Sequence, residues 1–156
     1  MTSPILARDM MVTKLITLSP DMGLRDAAKL LLKNRISGAP VVNAAGELIG
    51  IFSEKDLMQA LIDAVYDELP SSEVSAYMSR KVNTVAPQTD ILAIAQIFRT
   101  KDYRRLPVVQ EGKLVGQISR RDVMAAVVKL LEPAEDRKTA ILYLSGLREP
   151  PEAPVD

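Results

Sequence analysis

A serine followed three residues later by an aspartate occurs twice in the chain, each time three residues after a glycine. The first copy is Ser53 with Asp56, and the second is Ser119 with Asp122. A serine and an acid at this spacing form a capping box, in which both side chains bind backbone amides at the start of a helix. A carboxylate at such a junction can also accept hydroxyl groups of a ligand, and the nearby amides suit an anion. We therefore interpret both motifs as helix caps and as candidate binding groups.

The composition removes most catalytic chemistry. The chain has no Cys and no His, which excludes disulfides, thiolate nucleophiles, imidazole bases and the usual zinc ligands. It also lacks the glycine-rich patterns of P-loops and of dinucleotide-binding turns. Catalysis would have to depend on carboxylates, Lys, Tyr or hydroxyls, and nothing in the sequence marks one acid as a general acid or base. An enzyme is the least favoured class.

The charges are balanced overall but unevenly distributed. The chain carries 20 Lys plus Arg and 20 Asp plus Glu, yet residues 78–131 carry 10 basic and 4 acidic residues. This local excess favours binding of one anion over binding of a polyanion. With 4% aromatic residues and no Trp, stacking on single-stranded nucleic acid has little support, and we do not expect a nucleic-acid partner. No apolar run approaches the roughly 18 residues of a membrane span, so we predict a cytoplasmic protein without membrane contact.

The chain contains an internal repeat. Residues 11–42 align with residues 78–109, and a one-residue deletion near Ala45 precedes further matches. After it, Gly46, Gly50, Ser53 and Asp56 correspond to Gly112, Gly116, Ser119 and Asp122. Because the length difference falls in an expected turn, the two copies are predicted to share one structure.

Each copy reads as strand, helix, hairpin and helix. The predicted first strands, residues 15–18 and 82–85, end before a proline, and the hairpins turn at Gly46 and Gly112. A single copy is too small to be stable alone. We therefore expect an α+β fold with two tandem β-α-β-β-α repeats packed about a pseudo-twofold axis. The predicted segments are repeat one (7–66), an acidic linker (67–77), repeat two (78–131), and a C-terminal tail (132–156) with a short helix.

The repeated motifs resemble the signature of cystathionine β-synthase-type (CBS) domains. The resemblance lies in residues 50–56 and 116–122, the Pro-Val-Val strands, and the opening residues 7–11. It covers about residues 7–130 and implies a Bateman module, the tandem pair of CBS repeats. By the same resemblance, such modules bind adenosine compounds and commonly form disc-like homodimers through their helices. Apolar residues available for that contact are Leu57, Leu61, Val65, Val123, Val127 and Leu130.

The resemblance also implies the ligand site. The residues for ribose are Asp122, Ser119, Asp56 and Ser53. The slot for adenine consists of Ile16, Thr17, Ala39 and Pro40 in repeat one, and of Asn83, Thr84, Leu106 and Pro107 in repeat two. These residues could equally be ordinary strand ends and core.

The repeats differ in their basic residues. Repeat two contains Arg104, Arg105, Arg120 and Arg121, where repeat one has Ser37, Gly38, Glu54 and Lys55. Guanidinium groups bind phosphate oxygens in pairs, so we assign these four arginines and Lys55 to phosphate. A solvated basic face is the alternative. Repeat two is thus predicted to hold an adenine nucleotide with its phosphates, while repeat one binds weakly, binds an uncharged adenosine-like group, or stays empty.

We predict a non-catalytic sensor of AMP, ADP or ATP, with or without Mg²⁺, that requires no cofactor and regulates an unknown protein partner. The alternative is a structural module for dimerisation or protein interaction, whose Ser-x-x-Asp motifs only cap helices.

Overall fold

The computed structural model describes residues 4–66, 72–131, 141, 142 and 144. The helices are α1 (Ala7–Met10), α2 (Leu24–Asn34), α3 (Glu54–Tyr66), α4 (Ile91–Thr100) and α5 (Arg120–Leu130), with a short 3₁₀ turn at Val74–Ala76. The strands are β1 (Gly38–Val42), β2 (Leu48–Ser53), β3 (Arg105–Gln110) and β4 (Lys113–Ser119). Pairing of β1 with β2 and of β3 with β4 makes two small sheets. The predicted α+β fold with tandem repeats is confirmed.

The two hairpins turn differently. Glu111 and Gly112 both have positive φ, 52° and 80°, which is the geometry of a two-residue turn that matches the twist of its strands. The longer turn of the other hairpin is held by Asn43, whose Oδ1 atom accepts from the amides of Ala45 and Glu47, at 3.0 Å each. The one-residue difference between the repeats therefore falls in the turn, as predicted.

The predicted first strands are shorter than expected. Each is reduced to one parallel bridge, Leu18 to Val41 and Val85 to Val108. The Leu18 amide donates to the Pro40 carbonyl at 2.9 Å, but Pro40 has no N–H with which to continue the ladder. Pro107 plays the same part beside Val85. The parallel pairing is equally short in both copies because each copy has a proline at this position.

The described residues form two compact units. Unit 1 contains those within 1–12, 85–108 and 117–156, and unit 2 contains those within 13–84 and 109–116. Residues 4–12, which we call the first arm, thus lie in unit 1 with the helices of repeat two. Residues 72–79, which we call the second arm, lie in unit 2 with the helices of repeat one.

Each arm is held by backbone pairing. In unit 1, Leu6 bridges Asp90 and Val12 bridges Gln117. In unit 2, the equivalent bridges join Gly23 to Glu73 and Ile51 to Ser79. The second arm comes close to β2 at Gly50, where an added Cβ would lie 2.7 Å from the Met78 sulfur. A glycine is required there because any side chain would displace the arm.

Each unit has an apolar core. In unit 2 it consists of Leu18, Leu24, Ala27, Leu31, Ala39, Val41, Phe52, Ala60, Val74 and Met78. The buried apolar residues of unit 1 include Ala7, Met10, Val85, Ile91, Ile94, Phe98, Leu106, Val108 and Ile118. Among the described residues, no polar or charged side chain is buried.

The ends of the chain are only partly described. Of the predicted linker, residues 72–77 are described, and residues 67–71 lie outside. Of the predicted short helix in the tail, Ile141, Leu142 and Leu144 are helical, and all three are exposed. Residues 132–140, 143 and 145–156 lie outside. Within the described part, no helix has the length and apolar character needed to cross a membrane.

Candidate ligand-binding site

The signature motif of repeat two is a complete capping box at the start of α5. The Ser119 amide and hydroxyl both donate to Asp122 Oδ2, at 2.8 and 3.0 Å. The Asp122 amide in turn donates to Ser119 Oγ at 3.2 Å. The capping interpretation is confirmed, and it uses one oxygen of the carboxylate, Oδ2.

Repeat one has nearly the same arrangement at the start of α3. The Ser53 amide and hydroxyl donate to Asp56 Oδ2 at 2.8 and 3.2 Å. The amide of Glu54, the first residue of α3, donates to the Ser37 carbonyl at 2.8 Å. Asp56 and Asp122 are both half-buried. In both repeats, the second carboxylate oxygen is not needed for the cap.

The predicted adenine residues of repeat one lie at the start of β1. In the antiparallel register, Gly38 faces Ser53 and Ala39 faces Phe52. The parallel bridge from Leu18 to Val41 places Ile16 and Thr17 beside the first residues of β1. The structure therefore brings Ile16, Ala39 and Ser53 to the same end of the sheet. Ile16 is 38% exposed, while the Ala39 side chain belongs to the core, so only backbone groups of Ala39 remain for a ligand.

In repeat two, the Leu106 side chain is buried in the core of unit 1 and the Pro107 carbonyl accepts from Val85 at 3.0 Å. Asn83 and Thr84 are exposed and belong to unit 2. Their part in an adenine slot stays a prediction.

The predicted phosphate-binding residues lie at the ends of the elements. Arg120 and Arg121 begin α5, directly before Asp122, and both are exposed. Arg120 lies 3.7 Å from the carboxylate of Asp102, with both side chains largely in solvent, so this ion pair contributes little to stability. Arg104 is exposed and Arg105 is half-buried at the start of β3, and each makes further interactions. Lys55 is exposed near the start of α3.

Unit 1 contains a recess that the sequence did not predict. Its volume is about 300 Å³, and its lining residues are Ile5, Asp9, Met10, Asp122, Ala125, Ala126 and Lys129. The four from α5 recur at helical spacing, so they form one face of that helix. The others come from the first arm. The signature aspartate thus stands on the wall of a recess whose size is at the lower end of small-molecule sites.

Metal binding has no support in the described part of the chain, where no group of three or more His, Cys, Asp or Glu side chains could hold an ion.

Comparison with known proteins decides the family. The sequence model of the CBS domain family matches residues 7–63 and 74–129. The chain belongs to the CBS domain family. It contains two tandem CBS domains, each with one copy of the Ser-x-x-Asp motif.

Solved CBS proteins share this fold along most of their length. The acetoin utilization protein (AcuB) from Vibrio cholerae, a putative assignment, is 30% identical with a TM-score of 0.73, over 95% of this chain and 100% of that one. CBSX2, a CBS-pair protein from Arabidopsis thaliana, is 28% identical in its complex with AMP, with a TM-score of 0.70, over 81% of this chain and 98% of that one.

A curated relative is longer than this chain. The uncharacterized protein MJ1225 from Methanocaldococcus jannaschii is 34% identical over 115 residues, which are 74% of this chain and 40% of that protein. This chain therefore matches less than half of that protein's length.

Proposed function

We propose that this CBS pair is a non-catalytic sensor that binds an adenosine-containing ligand, with AMP, ADP or ATP as the candidates. The observation that carries the proposal is Asp122, whose carboxylate caps α5 through one oxygen and lines the recess of unit 1. A carboxylate has about four acceptor positions, so capping leaves it able to accept ribose hydroxyls. CBSX2, a structural relative, was solved with AMP, which supports an adenosine ligand for this chain.

The proposed contacts follow the asymmetry of the repeats. Asp122 and Ser119 hold the ribose in repeat two, and the exposed Arg120 and Arg121 that precede Asp122 contact phosphate. Asp56 offers repeat one a similar carboxylate with Lys55 in place of the arginines. Nucleotide binding then changes the population of conformations that a protein partner recognises, because the ligand binds one of them better.

The test uses Asp122→Asn, which separates capping from ligand binding. Asparagine keeps one side-chain oxygen for the Ser119 amide but replaces the second oxygen with an NH₂ group, which cannot accept a ribose hydroxyl. We expect the affinity for AMP to fall at least about tenfold, the equivalent of about 1.4 kcal/mol. The unfolding temperature without ligand should change little. Calorimetric titration and thermal unfolding measure the two quantities.

Asp56→Asn is the matched control, because it makes the same change in the cap of α3. It should leave AMP binding at repeat two intact, and equal losses from both variants would contradict the asymmetry. A ligand at a hundred times its Kd stabilises a protein by about 2.7 kcal/mol. If AMP, ADP, ATP, S-adenosylmethionine and NADH, with GMP as a control, all fail to stabilise the protein, the sensor proposal is wrong.

We also propose a homodimer, on a separate observation. Along α3, Leu61 is 60% exposed and Val65 is 70% exposed. Apolar surface of this kind is typical of a contact with another protein, and the disc-like dimers of the family suggest a second copy of this chain. Leu57, also in the predicted stripe, packs on the core of unit 2 instead. If no nucleotide binds, a purely structural dimerisation module is the function that this surface favours.

A further inference from the structure

The two arms occupy equivalent positions in their units. The amide of Ala7 donates to the Thr89 carbonyl at 2.7 Å, and the amide of Val74 donates to the Met22 carbonyl at 2.9 Å. These pairs coincide when one repeat is aligned with the other. Residues 5–12 of the first arm therefore have structural counterparts in residues 72–79 of the second arm, although most of the side chains differ.

Tyr77 is the counterpart of Met10. Its hydroxyl donates to Asp63 Oδ2 on α3 at 2.8 Å, and its ring packs against the core of unit 2. On the same face of α3, Ala60 is only 4% exposed. The tyrosine side chain thus connects the second arm to α3. It lies at the place in unit 2 that corresponds to the recess of unit 1.

In unit 1 the same place is open. Met10 stands on the arm and Lys129 on α5, at the positions that Tyr77 and Asp63 occupy in unit 2, and both line the recess of about 300 Å³. Ala126, the counterpart of the buried Ala60, is half-buried. Because Met10 carries no ring, unit 1 keeps a space that the phenol ring of Tyr77 takes in unit 2.

We propose that the Tyr77 side chain fills the ligand position of repeat one, and that the nucleotide therefore binds in the recess of unit 1 beside Asp122. This inference rests on the proposed function and names which of the two signature aspartates is used and why. The reason is steric, and it is independent of the four arginines.

The recess also selects the chemical class of the ligand. Lys129 supplies a positive charge where unit 2 has the carboxylate of Asp63. The lining also holds the carboxylates of Asp122 and of Asp9, which accepts from the Leu6 amide at 2.9 Å, so an anionic group of the ligand fits only at the Lys129 end. Asp122 and Lys129 are seven residues apart, about 10 Å along the helix axis, and a lysine side chain on a helix leans towards the N-terminus. Asp122 and Lys129 therefore suit a nucleoside monophosphate whose ribose hydroxyls meet Asp122 and whose phosphate meets Lys129. In this pose Lys129 takes the phosphate contact that the proposed function gives to Arg120 and Arg121.

The experiment substitutes residues of the two arms and of the recess one at a time, and titrates each full-chain variant with AMP and with adenosine. The wild type should bind one AMP. Met10→Tyr should lower AMP affinity at least about tenfold, while Gln88→Tyr, which adds the same ring at an exposed turn residue, should leave it unchanged. Lys129→Gln should weaken AMP but not adenosine. Tyr77→Ala should open a second site, which Asp56→Asn in the same chain should remove.

The outcomes separate this inference from the proposed function. If the wild type binds AMP and a folded Met10→Tyr variant binds it equally well, the inference about Tyr77 is wrong and the proposed sensor function is retained. If the wild type binds adenosine and none of AMP, ADP, ATP, S-adenosylmethionine and NADH, the inference is wrong, and if it binds none of these six compounds, both proposals are wrong. Should Met10→Tyr fail to fold, the exposed Ala125 allows Ala125→Leu to fill the recess from the helix side, and unchanged AMP affinity in that variant overturns the inference.

Discussion

The hydrogen bond from Tyr77 to Asp63 joins the second arm to α3 in unit 2. The pKa of the Tyr77 hydroxyl is raised above 10.0, first by its partial burial and then by the hydrogen bond and the negative charge of Asp63. Because the folded state holds this proton more tightly than the unfolded chain does, the bond stabilises the fold below about pH 10. That stabilisation is lost as the pH rises through the folded-state pKa.

Tyr77→Phe should therefore lower the stability at pH 7, because Asp63 loses its donor. The gap between the variant and the wild type should narrow as the pH rises above 10. Urea unfolding at pH 7 to 11 measures this gap, and Tyr66→Phe, at the 81% exposed tyrosine that ends α3, is the control. A gap that stays constant up to pH 11 would show that the phenol proton does not contribute.

The helix caps could be predicted from the sequence, and the recess could not. Ser119 and Asp122 are three residues apart, so a local rule is sufficient to pair them. The recess brings residues of the first arm to α5, which is far away in the sequence, and no local rule indicates such a contact. The signal for the recess in the sequence was the pair of small residues, Ala125 and Ala126, between Asp122 and Lys129. The role of Tyr77 becomes visible only when the two units are compared position by position.

The first helices of the two repeats end differently, although their sequences align. After α2 the chain turns at Arg35, which has the left-handed φ of 53°, and the Ile36 amide donates back to the Leu31 carbonyl at 3.1 Å. This is the Schellman pattern, which normally employs glycine. After α4 the chain continues extended at Lys101, where φ is −117°. Arg35 is therefore a strained residue in an otherwise regular element.

Arg35→Gly should stabilise the protein by about 0.5–1 kcal/mol, because it removes the left-handed cost of an L-residue and adds only the backbone entropy of glycine. Lys101→Gly should destabilise it by a similar amount, since an extended residue gains nothing from glycine. Chemical denaturation measures both free energies of unfolding. If both substitutions lower the stability, the strain at Arg35 is not significant.

At the level of elements, the sequence predicted the two longer helices and the hairpin of each repeat, but it did not predict α1 (Ala7–Met10) and it overestimated the first strands. Apolar spacing and turn residues are local signals and were sufficient for the former. The length of a strand depends on its neighbour, and Pro40 and Pro107 each remove the donor that the next pair of the ladder needs. The same prolines that marked these strands as motifs also shorten the pairing.

For the whole molecule, the exposed apolar face of α3 predicts the state of assembly. Val65→Glu places a charge on a side chain that is 70% exposed and should leave the fold intact while dissociating a dimer that buries this face. Sedimentation at several protein concentrations checks the mass. Gln88→Glu, at an exposed turn residue, adds the same charge elsewhere and should leave the mass unchanged. A Val65→Glu variant with the mass of the wild type would exclude α3 from the interface.

Each arm lies in the unit that holds the helices of the other repeat, so this chain is suited to division into two fragments that associate. A cut within residues 67–71 would give two pieces with one sequence repeat each, and each piece would carry the arm that completes the unit of the other. None of the four arm bridges, such as the one from Leu6 to Asp90, can form within one piece alone. We expect the pieces to reassociate when mixed. The second piece kept alone would leave the backbone groups at Asp90 and Gln117 unpaired, and it would have to take an arm from elsewhere to bury them.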